Sequence, residues 1–139
     1  MAETKKTLRQ AGHNDKPTSK NREKGRQGED IALRYLKEDG AQIVERNYRC
    51  SSGEADLIFR EDQTLVFAEV KTRSGIEYGL PEDSVTRAKR KRYEQIALNY
   101  LAGHACPSCR VRFDVIAITM ISPNQVLLRH HRDAFAAGE

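Results

Sequence analysis

The sequence contains no tryptophan and no long apolar segment. Its longest unbroken aliphatic stretch is Val115–Ile118, far short of the ~20 apolar residues that a membrane-spanning helix needs. The first residues also lack the apolar region of a secretion signal, so we expect a cytoplasmic protein with no membrane partner. Charged residues make up 32% of the 139 positions, a proportion that indicates a soluble globular protein.

Cysteine is scarce, since three residues are too few for a disulfide scaffold. We expect reduced thiols, as in most cytoplasmic proteins. Cys106 and Cys109 form a C-x-x-C pair that is typical of a turn before a strand. Nearby histidines leave a structural zinc site open as the less favoured interpretation, because His130 and His131 do not have the spacing of a zinc finger.

Net positive charge is absent from most of the chain. Residues 1–24 contain 7 Lys and Arg against 3 Asp and Glu, whereas residues 25–139 contain 17 of each kind. The first segment has one large aliphatic residue, Leu8, and cannot bury enough surface to offset the entropy of ordering. We therefore expect a disordered basic tail over residues 1–24, either a solvated arm or one that contacts DNA, followed by a single domain over residues 25–139.

Apolar periodicity predicts two helices and five strands in the remaining chain. The first helix presents Ile31, Ala32, Tyr35 and Leu36 on one face and ends at Gly40. Strands are predicted over residues 42–49, 54–60, 65–72, 110–121 and 125–131, and the second helix over residues 82–102. The fourth strand is nearly all apolar, which indicates a central strand, whereas the fifth is a candidate edge strand. The order αβββαββ predicts an α/β domain with a mixed sheet flanked by helices.

The second and third strands form a predicted hairpin with an unusual set of charges. A loop of two or of four residues places Asp56 opposite Glu69 and Glu54 opposite Lys71, whereas a three-residue loop would break this pairing. Period-two alternation then puts all four side chains on one face, with paired Cβ atoms ~4.5–5.5 Å apart.

Two carboxylates that close together repel each other unless a proton or a cation lies between them. A Mg2+ or Mn2+ ion held by Asp56 and Glu69, with Lys71 beside a phosphate or an attacking water, would suit metal-assisted phosphodiester hydrolysis. The alternative is an ordinary hairpin with a solvated charged face. Glu29 in the first helix is another candidate acid, although it could simply compensate the helix dipole.

Asp56, followed on the next strand by Glu69-Val70-Lys71, resembles the PD-(D/E)xK nucleases of restriction-endonuclease-like fold, with Ala55 in place of the usual proline. A longer ordered set of motifs comprises Gly28-Glu29, Asn47-Tyr48-Arg49, Gly53-Glu54-Ala55-Asp56-Leu57-Ile58, Phe67-Ala68-Glu69-Val70-Lys71-Thr72-Arg73, Gly79-Leu80-Pro81 and Arg112-Phe113-Asp114-Val115. This set resembles the bacterial YraN family, which is distantly similar to archaeal Holliday-junction resolvases.

The resemblance implies a restriction-endonuclease-like fold and a role for each matching residue. Asp56 and Glu69 would be the ligands of Mg2+ or Mn2+, and Lys71 would be the catalytic lysine. Glu29 matches the helix acid that completes the site in resolvase-like relatives. Glu54 would be a supporting acid or a partner of Lys71. The implied activity is an endonuclease acting on DNA, including branched or otherwise structured DNA.

The second predicted helix carries a basic cluster that could contact the nucleic-acid backbone through Arg87, Lys89, Arg90 and Lys91. A solvated helix surface is the other interpretation. Two further functions stay open: a non-catalytic nucleic-acid-binding module on the same fold, and a protein-interaction factor. Because four-way junctions have two-fold symmetry, a homodimer is expected for a resolvase, with an edge strand after residue 125 as its candidate surface. Asp114 is expected to be a buried acid bonded to Arg112 or to loop amides.

Overall fold

The computed structural model describes residues 3–9, 20–74 and 87–134. These residues form two helices and a six-stranded sheet of order β1-β6-β5-β4-β3-β2. The elements are β1 Glu3–Arg9, α1 Lys20–Glu38, β2 Gln42–Cys50, β3 Gly53–Glu61, β4 Thr64–Ser74, α2 Arg87–Gly103, β5 Arg110–Ser122 and β6 Gln125–His131. The pair of β4 and β5 is parallel and the other neighbouring pairs are antiparallel. The predicted α/β class with a mixed sheet between helices is confirmed.

Helix α1 covers one face of the sheet through the apolar stripe predicted from its periodicity. Ile31, Ala32, Tyr35 and Leu36 are all buried there. The helix ends at Gly40, whose φ of +93° is a left-handed conformation that glycine adopts without strain. The amide of Gly40 donates to the carbonyl of Lys37 and the amide of Ala41 to that of Leu36, the pattern of a Schellman C-cap.

Helix α2 covers the opposite face of the sheet. Its buried residues Tyr93, Ile96, Ala97 and Tyr100 pack against β3, β4 and β5. The strands alternate accordingly: Val66 and Ala68 of β4 belong to the core under α1, whereas Leu65 and Phe67 belong to the core under α2. Because β4 and β5 are parallel, the chain must cross from one end of the sheet to the other between them, and α2 lies on this crossover. The first part of the predicted second helix, over residues 82–86, lies outside the described residues.

The β3–β4 hairpin has the predicted register. Glu61 pairs with Thr64 across a two-residue turn, and the pairing continues to Leu57 opposite Ala68. Asp62 in the turn has a φ of +53°, a left-handed conformation that aspartate tolerates better than most residues. Strand β5 is central as predicted, with Asp114 through Ile118 buried in succession. The turn length therefore sets the position of the candidate site along β4.

The expectation of a disordered tail over residues 1–24 is wrong for the part of that segment that the structure describes. Glu3–Arg9 is strand β1, paired antiparallel with β6 from Glu3 opposite His131 to Arg9 opposite Gln125. Helix α1 begins at Lys20 rather than after residue 24. Composition gave no sign of β1 because its contacts are with residues distant in sequence. The strand pairs with β6 through the main chain, and Leu8 packs against the core under α1. Arg132 also donates a hydrogen bond to Thr4, and Lys6 lies over the ring of Tyr35. Residues 10–19 lie outside the described residues.

Strand β1 also corrects the expectation for β6. With β1 on one side and β5 on the other, β6 is not an edge strand, so the dimer surface expected there is already occupied by the chain itself. The alternating burial of β6, with Val126, Leu128 and His130 buried, reflects a position inside the sheet with one face under α1. Neither of the two described helices is long and apolar enough to cross a membrane.

Candidate active site

The candidate site lies where β3 and β4 separate. Their pairing ends at Leu57 and Ala68, and just beyond it the amide of Val70 donates a 2.8 Å hydrogen bond to Oδ2 of Asp56. A side-chain carboxylate thus takes the place of a backbone acceptor at the mouth of the hairpin. This bond holds the Asp56 carboxylate beside the segment of β4 that carries Glu69, although the predicted pairing of Asp56 directly opposite Glu69 is absent from the register of the two strands.

The strands exchange faces at this point. Ala55 and Ile58 pack in the core under α2, whereas Leu57 packs in the core under α1, so the alternation of side chains changes phase at Asp56. The neighbouring strand β2 does the same around Asn47, which has a φ of +54°. The expectation that strict alternation puts Glu54, Asp56, Glu69 and Lys71 on one face is therefore wrong for β3.

The residues that flank Asn47 confirm the exchange of faces. Arg46 reaches the acids of α1, with its Nη2 atom 2.7 Å from Oδ1 of Asp30 and 3.7 Å from Oε1 of Glu29. Two positions later, the Tyr48 hydroxyl donates a 2.8 Å hydrogen bond to Oδ1 of Asn99 in α2. Because β2 and β3 change faces together, their pairing continues while Asp56 is set apart from the regular pleat.

Two lysines converge on one oxygen of Glu69. Nζ of Lys89 lies 3.1 Å and Nζ of Lys71 lies 3.8 Å from Oε2. The other oxygen, Oε1, is buried and accepts no hydrogen bond from the residues that the structure describes. A buried carboxylate oxygen without a donor is unfavourable by roughly 1–3 kcal/mol, so Glu69 is suited to bind something further.

Asp56 is a partly buried acid with other carboxylates nearby. Burial raises its pKa to about 7, and the negative charges of Glu29, Glu69 and Glu54 act in the same direction against the opposing hydrogen bond from Val70. At neutral pH its carboxyl is therefore about half protonated. A cation bound among these acids would relieve their repulsion.

Glu29 reaches the site because α1 lies unusually close to β4. A Cβ atom at Gly28 would overlap Oγ1 of Thr72, so glycine is needed at this contact. Burial raises the pKa of Glu29, while a hydrogen bond with Asn47 and the charge of Arg46 lower it. Glu29 thus lies close enough for its charge to raise the pKa of Asp56.

Glu54 and Lys71 are not partners in the structure. Oε2 of Glu54 lies 3.6 Å from Nε of Arg49 on the neighbouring strand β2, whereas Lys71 pairs with Glu69. Burial lowers the pKa of Lys71 and the charges of Lys89 and Arg73 lower it further, although Glu69 raises it. Glu54 therefore acts on the site through its charge, which raises the pKa of Asp56.

The basic cluster of α2 divides between the site and the solvent. Lys89 turns inward to Glu69 and is 15% exposed, whereas Arg87 and Lys91 are exposed on the helix surface. Arg90 is half-buried, and its Nε atom has no hydrogen-bond partner among the described residues. Of the four residues predicted to contact the nucleic-acid backbone, Lys89 is thus the one that the fold places beside Glu69.

Sequence reasoning missed the cleft that extends from Glu69 along the end of β4. It has a volume of about 430 Å3 and is lined by Lys24, Glu69, Val70, Lys71, Thr72, Arg73 and Ser74. Lys24 falls within the predicted tail, and Arg73 is one residue of a longer family motif. The common spacing of Lys71 and Arg73 on one strand was the available signal, since residues two apart share a face.

The cysteines and the histidine that were considered for a zinc site lie away from the candidate active site. Cys106 and Cys109 form a disulfide, so the expectation of reduced thiols is wrong for this pair. They do lie in the predicted turn, in which the Cys109 amide donates to the Cys106 carbonyl. His130 is buried between Asp114 and Tyr35, with both hydrogen bonds 2.8 Å long, which leaves neither of its ring nitrogens for zinc.

Asp114 is the buried acid that the sequence predicted. It accepts hydrogen bonds from Arg112, from His130 and from the amide of Asp133. Burial raises its pKa, but these hydrogen bonds outweigh burial and leave the pKa below its usual value. The network belongs to the packing of β5 and β6 and not to the candidate site.

The residues fit a divalent cation that is completed by water and substrate. Among the described residues, no three His, Cys, Asp or Glu side chains form a group that could hold a metal ion by themselves. Mg2+ usually takes one or two protein carboxylates, together with water and phosphate oxygens. The unpartnered Oε1 of Glu69 and the crowded carboxylate of Asp56 meet that smaller requirement.

Comparison with known proteins identifies the family. A model of the uncharacterised protein family UPF0102 matches residues 28–118. A UPF0102 protein of Parafrankia sp. (strain EAN1pec) is 46% identical over 111 residues, which are 80% of this chain and 94% of that relative. A UPF0102 protein of Rhodococcus jostii (strain RHA1) is 48% identical with the same coverage, and one of Geobacter sulfurreducens is 42% identical over 80% of this chain and 87% of its own.

One solved structure has a low similarity to the chain. SfsA of Pyrococcus furiosus, in complex with Ca2+, has a TM-score of 0.38 and 14% sequence identity, covering 78% of this chain and 62% of that protein. The family assignment depends on the sequence relatives, which match over most of their length and confirm the resemblance to YraN. The chain belongs to the UPF0102 family.

Proposed function

We propose that this protein is a metal-dependent endonuclease that hydrolyses phosphodiester bonds in DNA, including branched or structured DNA. The observation that carries the proposal is the hydrogen bond from Val70 to Asp56, 2.8 Å long, at the point where the hairpin opens beside Glu69. The bond holds Asp56 near other carboxylates, whose negative charges raise its pKa. Lys71 and Lys89 lie in the same region, beside Glu69. A structural hairpin would gain nothing from such repulsion.

Asp56 and Glu69 would hold Mg2+ or Mn2+, and Glu29 would support Asp56 from α1. When bound, the ion would lower the pKa of a water and offset charge on the phosphate. Asp56 must lose its proton to act as a ligand, and its pKa of about 7 puts that loss near neutral pH. The buried Oε1 oxygen of Glu69 accepts no hydrogen bond from any described residue and is therefore available to a metal ion.

Lys71 would contact the reacting phosphate or its attacking water. Its ammonium lies 3.8 Å from Glu69 and therefore next to the proposed ion site. Burial lowers its pKa, which makes it a better proton donor to a leaving oxygen than an exposed lysine. Glu54 is bound to Arg49 and would contribute negative charge rather than a ligand.

The test is cleavage of labelled duplex, single-stranded, flap and four-way-junction DNA with Mg2+ or Mn2+. We expect the unsubstituted protein to cut at least one substrate and Glu69→Ala to abolish cutting. Glu94→Ala is the matched control, because Glu94 is an exposed acid on α2. Cutting that persists in Glu69→Ala, or that is lost equally in Glu94→Ala, would contradict the assignment.

One observation favours a second candidate, a nucleic-acid-binding module that does not cut. Lys89 and Lys71 both lie near Oε2 of Glu69, so this carboxylate is already neutralised without a metal. In that case Glu69→Gln would leave DNA affinity intact or increase it, and no substrate would be cleaved with any divalent ion. The catalytic proposal requires instead that Mn2+ binding, measured by calorimetry, be lost in Asp56→Ala.

A further inference from the structure

The described residues that line the cleft beside Glu69 have an excess of positive charge. Among them, Lys24 of α1 and Lys71 and Arg73 of β4 stand against one carboxylate, that of Glu69. Glu69 is itself paired with Lys89, which comes from outside the cleft lining. The cleft therefore contains more cationic groups than its own acid can neutralise.

Two of these cations have no partner in the described part of the chain. Lys24 and Arg73 form neither an ion pair nor a side-chain hydrogen bond with any residue that the structure describes, although both are partly buried. By contrast, Arg26 on the same helix is paired with Glu23. Lys71 and Arg73 lie two residues apart on β4 and line the same cleft, so their like charges repel each other. Partly buried cations that repel one another are stabilised by an anion between them.

The lining also offers an oxyanion a hydroxyl, that of Ser74, which is exposed at the end of β4. Lys71 and Arg73 are two residues apart on a strand, a separation of about 6.6 Å. That separation is comparable to the distance between neighbouring phosphates of one nucleic-acid strand.

We propose that this cleft binds the DNA backbone at a phosphate next to the one cleaved, held by Lys24 and Arg73. The identity of the anion as DNA rests on the proposed function, whereas the cleft and its unpaired cations do not. The strand would enter along the end of β4, with Lys71 at the reacting phosphate and Arg73 at its neighbour. Lys24 would approach the same phosphate from α1, so that the helix and the sheet hold the strand together.

The test is binding of fluorescently labelled DNA, measured by anisotropy in EDTA across a series of salt concentrations, so that neither cleavage nor metal contributes. We expect the double variant Lys24→Gln with Arg73→Gln to bind at least tenfold more weakly at low salt. The slope of log affinity against log salt should fall by about 0.7–0.9 for each phosphate that the variant no longer binds.

Arg26→Gln is the matched control. It removes one positive charge from the same helix, but Arg26 is 61% exposed and does not line the cleft. Thermal unfolding of each variant checks that the fold is kept. An unchanged salt slope in the double variant, an equal change in Arg26→Gln, or no DNA binding by the unsubstituted protein would overturn the proposal.

The two proposals fail separately. If the double variant binds more weakly as expected but no DNA is cut with Mg2+ or Mn2+, the nuclease is wrong and the backbone site stands. If DNA is cut and Glu69→Ala abolishes cutting, while the double variant binds with an unchanged salt slope, the nuclease stands and the cleft assignment is wrong.

Discussion

Nζ of Lys89 lies 3.1 Å from Oε2 of Glu69, and the two side chains are only 15% and 18% exposed. An ammonium from α2 therefore occupies one side of the carboxylate that we propose as a metal ligand. Lys71, on the same strand as Glu69, approaches the same oxygen, so this oxygen has one lysine neighbour from α2 and one from β4. Any cation that binds Glu69 must compete with these two lysines.

Removing Lys89 should strengthen metal binding. Lys89→Ala takes away a competing interaction of about 1 kcal/mol, so we expect Mn2+ to bind roughly fivefold more tightly, measured by titration calorimetry. Lys91→Ala is the control, since Lys91 is exposed two positions along the same helix. Weaker Mn2+ binding in Lys89→Ala would instead mean that Lys89 positions Glu69.

The raised pKa of Asp56 should make the protein less stable as the pH rises. Between about pH 4 and pH 7 the unfolded chain loses this proton while the folded protein retains it, so the free energy of unfolding falls across that range and then levels off. Asp56→Asn removes the effect and can still accept the hydrogen bond from Val70. We expect the free energy of unfolding of Asp56→Asn to exceed that of the unsubstituted protein by at most about 4 kcal/mol at pH 8 in EDTA, and to equal it below pH 4.

Urea denaturation at several pH values measures this difference. Asp62→Asn is the control, because Asp62 is exposed at the far end of the same hairpin. Mn2+ should stabilise the unsubstituted protein at pH 8 but not Asp56→Asn. A variant that is less stable than the unsubstituted protein at pH 8 would show that the charge on Asp56 is favourable.

Two glycines of α1 should respond to alanine in opposite ways. At Gly28 a Cβ atom would collide with Thr72, so Gly28→Ala should lower the free energy of unfolding by about 1–3 kcal/mol. At Gly25 no described atom outside its own stretch of helix lies within 4 Å of the added carbon, and Gly25→Ala should raise the free energy of unfolding by up to about 1 kcal/mol through helix propensity. Chemical denaturation of both variants measures the contrast.

Thr72→Ala in the Gly28→Ala background should recover part of the stability, because it removes the hydroxyl that the new carbon meets. The close contact predicts a second effect, since α1 must move away from β4 and carry Glu29 with it. Mn2+ affinity should therefore fall in Gly28→Ala and stay unchanged in Gly25→Ala. Equal stability changes at both positions would contradict the close approach of α1 to β4.

Asp114 should stabilise the fold at neutral pH. Its lowered pKa means that the contribution is present above about pH 4 and is lost as the pH falls below that value. Asp114→Asn removes the carboxylate that Arg112 and His130 share, while Arg112 keeps its ion pair with Glu61. It should lower the free energy of unfolding by about 3 kcal/mol at pH 7. The deficit should shrink at acid pH.

Asp133→Asn is the comparison for this prediction, because Asp133 is exposed and its backbone amide, rather than its carboxylate, contacts Asp114. Its left-handed backbone suits asparagine equally well, so we expect a change near zero. Urea denaturation at pH 7 and at low pH gives both values. An Asp114→Asn deficit that does not depend on pH would mean that packing, not ionisation, is responsible.

Local periodicity along the chain was enough to predict part of the fold and the centre of the candidate site. Alternating apolar residues and a short turn predicted the register from Glu61 opposite Thr64 to Leu57 opposite Ala68. Asp56 follows directly beyond this pairing, where it accepts a hydrogen bond from the amide of Val70. The stripe of α1 and its end at Gly40 followed from helical spacing in the same way. Such features depend on residues that are close in sequence, so the sequence specifies them directly.

Contacts between distant segments could be seen only in the folded protein. Strand β1 exists because β6 offers main-chain groups to pair with, and a polar segment with one leucine contains no pattern that predicts this. The exchange of faces at Asp56 accompanies the left-handed backbone at Asn47 on the neighbouring strand. Lys24 and Lys89 reach the site because the two helices pack on opposite faces of the sheet near the same end of β4, and no periodicity within either helix specifies that placement.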